Sequence, residues 1–114
     1  MRRRKRFTGA RQYEPFADMP HIKIKFMGLN EFTSQIGNNE FDIQLDGDTF
    51  GDLLKYLQNR FGASFRKAVL NDRGEVDNMI QVVKNEDEWL ARGNFSSLLE
   101  EGDQLLFFLM IAGG

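Results

Sequence analysis

Gln104-Leu105-Leu106-Phe107-Phe108-Leu109-Met110-Ile111 runs for eight residues without a charge, and Ala112-Gly113-Gly114 follows it. Strand alternation puts Leu105, Phe107, Leu109 and Ile111 on one side. It puts Gln104, Leu106, Phe108 and Met110 on the other. A strand that is apolar on both faces belongs in the middle of a sheet, where both faces have cover. The rest of the chain must therefore supply neighbouring strands and something to pack across them.

Working back from this strand, Glu101-Gly102-Asp103 reads as a tight turn, and Phe95, Leu98 and Leu99 as a single turn before it. Ile80 to Val83 reads as a strand, broken by Lys84-Asn85-Glu86-Asp87. Trp89 and Leu90 read as packing residues. Residues 63–79 have the weakest pattern: Val69-Leu70 suggests a short extended piece, and Asn71-Asp72-Arg73-Gly74 is a turn signal.

One helix is clear. Thr49 is a cap, with Asp52 three residues on in the capping-box position. Phe50, Leu53, Leu54, Leu57 and Phe61 then share one face, and Gly62 is placed for a left-handed stop. Before the helix come two alternating stretches, Ile22-Ile24-Phe26 and Phe41-Ile43-Leu45, separated by a polar loop from Gly28 to Asn39. They form an antiparallel pair. The order strand–strand–helix–strand–strand gives an α+β domain: one mixed sheet of four to five strands with the main helix packed across it. A long crossover through the helix makes the last strand parallel to the first.

A single helix covers only one face of that sheet. Two coverings of the other face are open. Loop 84–99 with Trp89 lies across it, or Leu106, Phe108 and Met110 form an exposed patch for a partner protein.

Composition narrows the function classes. The 114 residues suit one domain, with 11 Phe for its core. There is no Cys and one His, which excludes a disulfide framework, thiolate or poly-His metal sites and a cysteine nucleophile. No stretch has the length of a membrane span and no signal peptide opens the chain, so a cytoplasmic protein is expected. Residues 1–20 carry six basic and two acidic groups, beginning with Arg2-Arg3-Arg4-Lys5-Arg6. With both prolines (Pro15 and Pro20) and no apolar period, they read as a disordered basic arm. The body from His21 to Gly114 carries nine basic and fifteen acidic groups, and would repel the phosphates that such an arm attracts. Nucleic acid is therefore not an expected partner.

Asp46-Gly47-Asp48 and Asn71-Asp72-Arg73-Gly74 lack the ligand count of a calcium loop and read as turns. Glu86-Asp87-Glu88 and Glu100-Glu101-Asp103 read as solvated acids, and His21 as a surface residue without a partner. No phosphate loop, nucleophile elbow or paired-carboxylate signature is present, and the chain is not expected to be an enzyme.

The chemistry lies in the final residues. Glycine has no Cβ, so Gly113-Gly114 fits a channel that rejects side chains. Ile111 to Gly114 spans about 13 Å when extended. Leu98-Leu99-Glu100-Glu101-Gly102-Asp103-Gln104-Leu105, Phe107 and Ile111-Ala112-Gly113-Gly114 resemble the ubiquitin-like sulfur carriers: the molybdopterin synthase small subunit, the thiamine sulfur carrier and the small archaeal modifier proteins. The helix from Thr49 and Val82-Val83-Lys84-Asn85 stand in the family's order. Leu109 and Met110 stand where the family often has prolines, and Asn85-Glu86 where it has Asn-Gly.

The resemblance implies a β-grasp fold over residues 21–114. It implies that a ubiquitin-activating-type adenylyltransferase, using ATP and magnesium, adenylates Gly114, with Gly113 as the neighbour that fits its channel. No cofactor is bound by the chain itself. A sulfur donor enzyme then makes a thiocarboxylate for molybdopterin, thiamine or tRNA, with a synthase large subunit as a further partner. Alternatively the activated glycine is joined to target-protein lysines. Leu106, Phe108, Met110 and Ile111 are the partner-docking candidates. The competing reading is a β-grasp interaction module that is never conjugated.

Overall fold

A computed structural model of the chain describes residues 19–90 and 93–110. The basic arm up to Asp18, Ile111, Gly113 and Gly114 lie outside the described residues.

Alternating apolar residues make β1 (His21–Met27), whose Ile22, Ile24 and Phe26 are buried while the residues between them are exposed. It pairs antiparallel with β2 (Glu40–Gln44), with Ile22 opposite Ile43 and Ile24 opposite Phe41. The connection is not the expected loop. It contains helix α1 (Asn30–Ile36), ended by Gly37 at φ 86°. Seven residues without a side-chain cap are too few to hold a helix by propensity. Packing holds it: the Phe32 ring meets Phe26 edge-on at 5.1 Å and Phe61 at 5.8 Å.

The second helix, α2 (Phe50–Phe61), has the expected start. The Thr49 hydroxyl accepts from the Asp52 backbone N–H at 3.1 Å, and Asp52 Oδ2 accepts from the Thr49 and Asp48 N–H groups at 3.2 and 3.0 Å. Phe50, Leu53, Leu54 and Leu57 are buried. Gly62 stops the helix at positive φ (65°), but its ψ of −139° is not left-handed helix. That conformation turns the chain directly into α3 (Ala63–Val69), where a short extended piece was expected at Val69-Leu70. Phe65 and Val69, one turn apart, are buried, so Val69 ends a helix. Only Leu70 is extended, bridging Val76 across the Asn71–Gly74 turn.

β3 (Ile80–Lys84) and β4 (Glu88–Leu90) form a hairpin through Asn85 (φ 53°) and Glu86 (φ 73°). Consecutive positive φ angles give the turn the twist that antiparallel strands require. Leu90 is buried as expected; Trp89 is 61% exposed and is not a core residue. Phe95, Leu98 and Leu99 do not act together as one turn. Leu99 is buried, Leu98 bridges Thr49 and is half-exposed, and Phe95 lies beside the start of α2.

The last strand, β5 (Gln104–Leu109), is central. The sheet order is β2-β1-β5-β3-β4, with β5 parallel to β1 and antiparallel to β3. Phe107 and Leu105 are buried toward the helices, with Phe107 beside Phe26 at 5.4 Å and Phe50 at 6.3 Å. This is the mixed sheet with helices on one side that the sequence predicts, extended by two short helices.

Candidate functional site: the outer sheet face and the end of β5

The three helices occupy one face of the sheet, and the alternate residues of each strand define the other. On that outer face Leu106 and Phe108 are half-buried, and Met110 is 45% exposed. Strand register sets their neighbours. Lys25 lies beside Leu106 and Met27 beside Phe108 on the β1 side. Val83 and Gln81 lie beside the same two residues on the β3 side. Beyond Val83 stands Trp89, whose ring meets Phe108 edge-on at 6.0 Å. The ladder continues one step past β5, where the Met110 N–H donates to the Met79 carbonyl at 2.7 Å.

Among its described residues, the segment from Lys84 to Leu99 therefore does not lie across this face, and its Trp89 ring reaches Phe108 at the edge. Its first part lies in the sheet as the β3–β4 hairpin. Residues 93–99 run to the helical side, where the Ser97 and Phe95 carbonyls accept from the Phe50 and Gly51 N–H groups, both at 2.8 Å. Trp89 enlarges the apolar patch. Met27, Met79 and Trp89 were not among the docking candidates, yet the structure groups them with Leu106, Phe108 and Met110. Reading alternation outward from each strand gives the outward side chains; the strand order that brings them together is not local information. Methionine and tryptophan exposed together suit a binding surface, since methionine adapts its shape and tryptophan offers a large rigid contact.

Lys23 and Lys25 flank the patch, and Lys23 Nζ lies 3.7 Å from Glu40 and 3.9 Å from Asp42. On the opposite side the hairpin turn exposes Glu86, Asp87 and Glu88.

The start of β5 is fixed by a polar latch. Asp103 is not a solvated acid; it is 8% exposed. Its carboxylate accepts from Asn85 Nδ2 at 2.9 Å and from the Glu100 N–H at 2.8 Å, while Asn85 Oδ1 accepts from the Gln104 N–H at 2.9 Å. The hairpin turn and the central strand are thereby tied together. His21 is exposed, as expected, but it has a partner: Nδ1 lies 3.2 Å from Glu101 Oε2. Among the described residues, no group of three His, Cys, Asp or Glu side chains could hold a metal, and no helix is long and apolar enough to cross a membrane.

A five-stranded mixed sheet, a capped helix across it and a central last strand leading toward a diglycine define a ubiquitin-like β-grasp protein. No family model and no curated protein matches the chain by sequence. Solved structures do match. Small archaeal modifier protein 1 of Haloferax volcanii is 27% identical, with TM-score 0.64, over 81% of this chain and 99% of that one. Urm1 from Trypanosoma brucei is 21% identical, with TM-score 0.59, over 85% and 98%. A chain of the Amycolatopsis orientalis BexX/CysO complex is 19% identical, with TM-score 0.61, over 82% and 99%. The resemblance to ubiquitin-like sulfur carriers and modifiers thus holds in three dimensions.

Proposed function

We propose that the chain is a ubiquitin-like carrier whose reactive group is the Gly114 carboxylate. A carboxylate oxygen attacks the α-phosphate of ATP in a ubiquitin-activating-type adenylyltransferase, which uses magnesium, and pyrophosphate leaves. The resulting acyl-adenylate is open to two nucleophiles. Sulfide delivered by a sulfur donor enzyme displaces AMP to give a thiocarboxylate. A lysine amine of a target protein displaces AMP to give an isopeptide. Gly113 serves as the side-chain-free neighbour that lets the tail enter the partner's channel. Leu106, Phe108, Met110 and Ile111 dock the body against the partner, joined by Met27, Met79 and Trp89. The sulfur is destined for molybdopterin, thiamine or tRNA; in the molybdopterin case the outer face also seats on a synthase large subunit.

The observation that carries this reading is the position of β5. The strand that leads into Ile111-Ala112-Gly113-Gly114 lies at the centre of the sheet, beside an apolar outer face. A partner gripping that face holds the base of the tail in a fixed place, as positioning of a reacting group requires.

The experiment is intact mass after incubation with the activating partner, ATP and sulfide. The expected product has one oxygen replaced by sulfur, and deleting Gly114 abolishes it. An unchanged mass with a partner active on its own carrier rejects the proposal in favour of a non-conjugating interaction module.

A further inference from the structure

The outer face carries its charges on opposite sides. Lys23 and Lys25 lie on β1, immediately to one side of β5. Glu86 lies in the turn that follows β3, on the other side. A groove of about 260 Å³ separates them, with Val83 and Leu106 among its lining residues. The chain itself does not neutralise all of these charges. Lys23 has two acidic neighbours, Glu40 at 3.7 Å and Asp42 at 3.9 Å. Lys25 and Glu86 have no ion pair among the described residues. We infer that a second copy of the chain covers this face, packed against it about a two-fold axis that runs along β5. The pairing stands on the face itself; only its consequence for activation rests on the carrier reading above.

Charge pattern and register select both the occupant and the axis. An isologous contact must be its own complement. This face meets that condition, with an apolar centre on β5, a basic strand on one side and an acidic turn on the other. An axis along β5 brings Leu106 against Leu106 and Phe108 against Phe108. It exchanges the two sides of the sheet, so β1 of one copy faces β3 of the other. Lys25 stands level with Leu106 and Val83, so its aliphatic stem lies over the facing copy's Val83. Lys23 stands level with Gln104, whose carbonyl accepts from the Asn85 N–H at 2.8 Å. Both ammonium groups therefore lie toward the facing copy's turn at Glu86, and the symmetry repeats this meeting of opposite charges once more. An axis across β5 instead places β1 on β1 and the acidic turn on its counterpart, which sets like charges against each other. Aligned sheets pack about 10 Å apart, a gap that interdigitated leucine and phenylalanine side chains fill.

The consequence is competition for one surface. The dimer covers Leu106 and Phe108, which in the carrier reading dock the activating partner. That partner must then displace a copy before it grips the face. Because the axis runs along β5, this strand points the same way in both copies.

The test uses the full-length chain alone in sedimentation velocity, over a concentration series reaching about 1 mM. Lys25→Glu and Glu86→Lys are compared with the unsubstituted chain, singly and mixed in equal amounts. The unsubstituted chain is expected to dimerise. Each reversal alone sets like charges together twice in the dimer and should raise the dissociation constant about tenfold or more. In the mixed dimer both meetings are again between opposite charges, so association should return to the level of the unsubstituted chain. Both positions are exposed, and circular dichroism verifies that the variants are folded. A chain that stays monomeric throughout the series overturns the proposal and leaves the face to a different protein. A dimer that either reversal leaves unchanged, or a mixture no better than its components, overturns it as well. No activating enzyme is present, so each result is independent of whether Gly114 becomes a thiocarboxylate.

Discussion

Phe107 and Phe108 are adjacent in sequence and identical in chemistry, yet they face opposite sides of the sheet, so truncating each to alanine tests the site directly. Phe107 is fully buried between the Phe26 and Phe50 rings. Phe107→Ala leaves a cavity that the surrounding rings only partly fill, and should cost about 3–5 kcal/mol. Phe108 is half-buried on the open face and leaves no enclosed cavity. Its truncation forfeits roughly half of the ~1.5–3 kcal/mol that full burial of such a side chain contributes. The lost edge-on contact with Trp89 adds about 0.5 kcal/mol. The sum is roughly 1–2 kcal/mol, leaving a gap of about 1–4 kcal/mol between the variants. With a urea slope of about 2 kcal/mol/M, the midpoint falls by about 2 M for Phe107→Ala and by about 0.5–1 M for Phe108→Ala. Circular dichroism follows the global transition. The emission of Trp89, the only tryptophan, reports the outer face. It should change in native Phe108→Ala and stay unchanged in native Phe107→Ala. Equal midpoint shifts for the two variants would mean that the second face is as covered as the first, and the docking surface would be lost with it.

Two further changes probe the elements that hold the site in place. Asp52→Ala removes the acceptor of the Asp48 and Thr49 N–H groups and should lower stability at neutral pH by about 1 kcal/mol. Partial burial pushes the Asp52 pKa up, but hydrogen bonds from Asp48 and Thr49, with Lys55 nearby, outweigh it and hold the carboxyl below its ordinary 3.8. Its contribution is therefore complete above that value and lost as pH falls through the lower folded value. Urea midpoints of the parent and the variant should converge on acidification below pH 3.8, and a constant difference would refute the assignment. Asn85→Ala removes a donor from buried Asp103 and an acceptor from the Gln104 N–H at a residue with φ 53°. It should cost about 2–3 kcal/mol by the same assay, and Asn85→Gly, which relieves the backbone, about 1 kcal/mol less.

The elements legible in the sequence are those whose signals are local. β1 and β2 alternate over whole strands, α2 has a cap, a four-residue buried stripe and a glycine stop, and β5 has no charge on either face. The helices α1 and α3 have no comparable signal. Each has seven residues and two apolar anchors, Phe32 with Ile36 and Phe65 with Val69. Their stability comes from rings that lie elsewhere in the chain, as in the 6.0 Å approach of Phe32 to Phe65. The same limit explains Asp103, which looks solvated beside Glu100 and Glu101 until Asn85, eighteen residues earlier, is brought against it. Half of the docking face was legible because β5 announces its own two sides. The other half was not, because Met27 ends β1, Met79 directly precedes β3 and Trp89 lies in β4, and hydrogen-bond register decides where those elements sit relative to β5.

The division of labour between the two faces follows from the strand order. All the described helices pack on the inner side, so no described helix covers the outer side of the sheet, where Val83 is buried among its strand neighbours and the other outward residues are half-buried or exposed. At β1 this is handled with charge: Lys23 and Lys25 alternate with the buried isoleucines, and Lys23 is paired with Glu40 and Asp42. β5 has no charge at the corresponding positions, although Leu106 sits directly beside Lys25 and Phe108 beside Met27. Folding does not require this difference, since a polar residue at 106 or 108 would leave the Phe107 side of the strand intact. Soluble chains seldom leave aromatic and methionine side chains grouped on an open face without a partner to cover them. The two faces of β5 thus separate two tasks. Leu105 and Phe107 anchor the strand, and Leu106, Phe108 and Met110 keep an adhesive surface beside the point where the tail departs. Polar substitutions on the outer face should therefore weaken partner engagement at a cost of no more than about 1–2 kcal/mol in stability, while changes of equal size at Leu105 or Phe107 should disable both through unfolding.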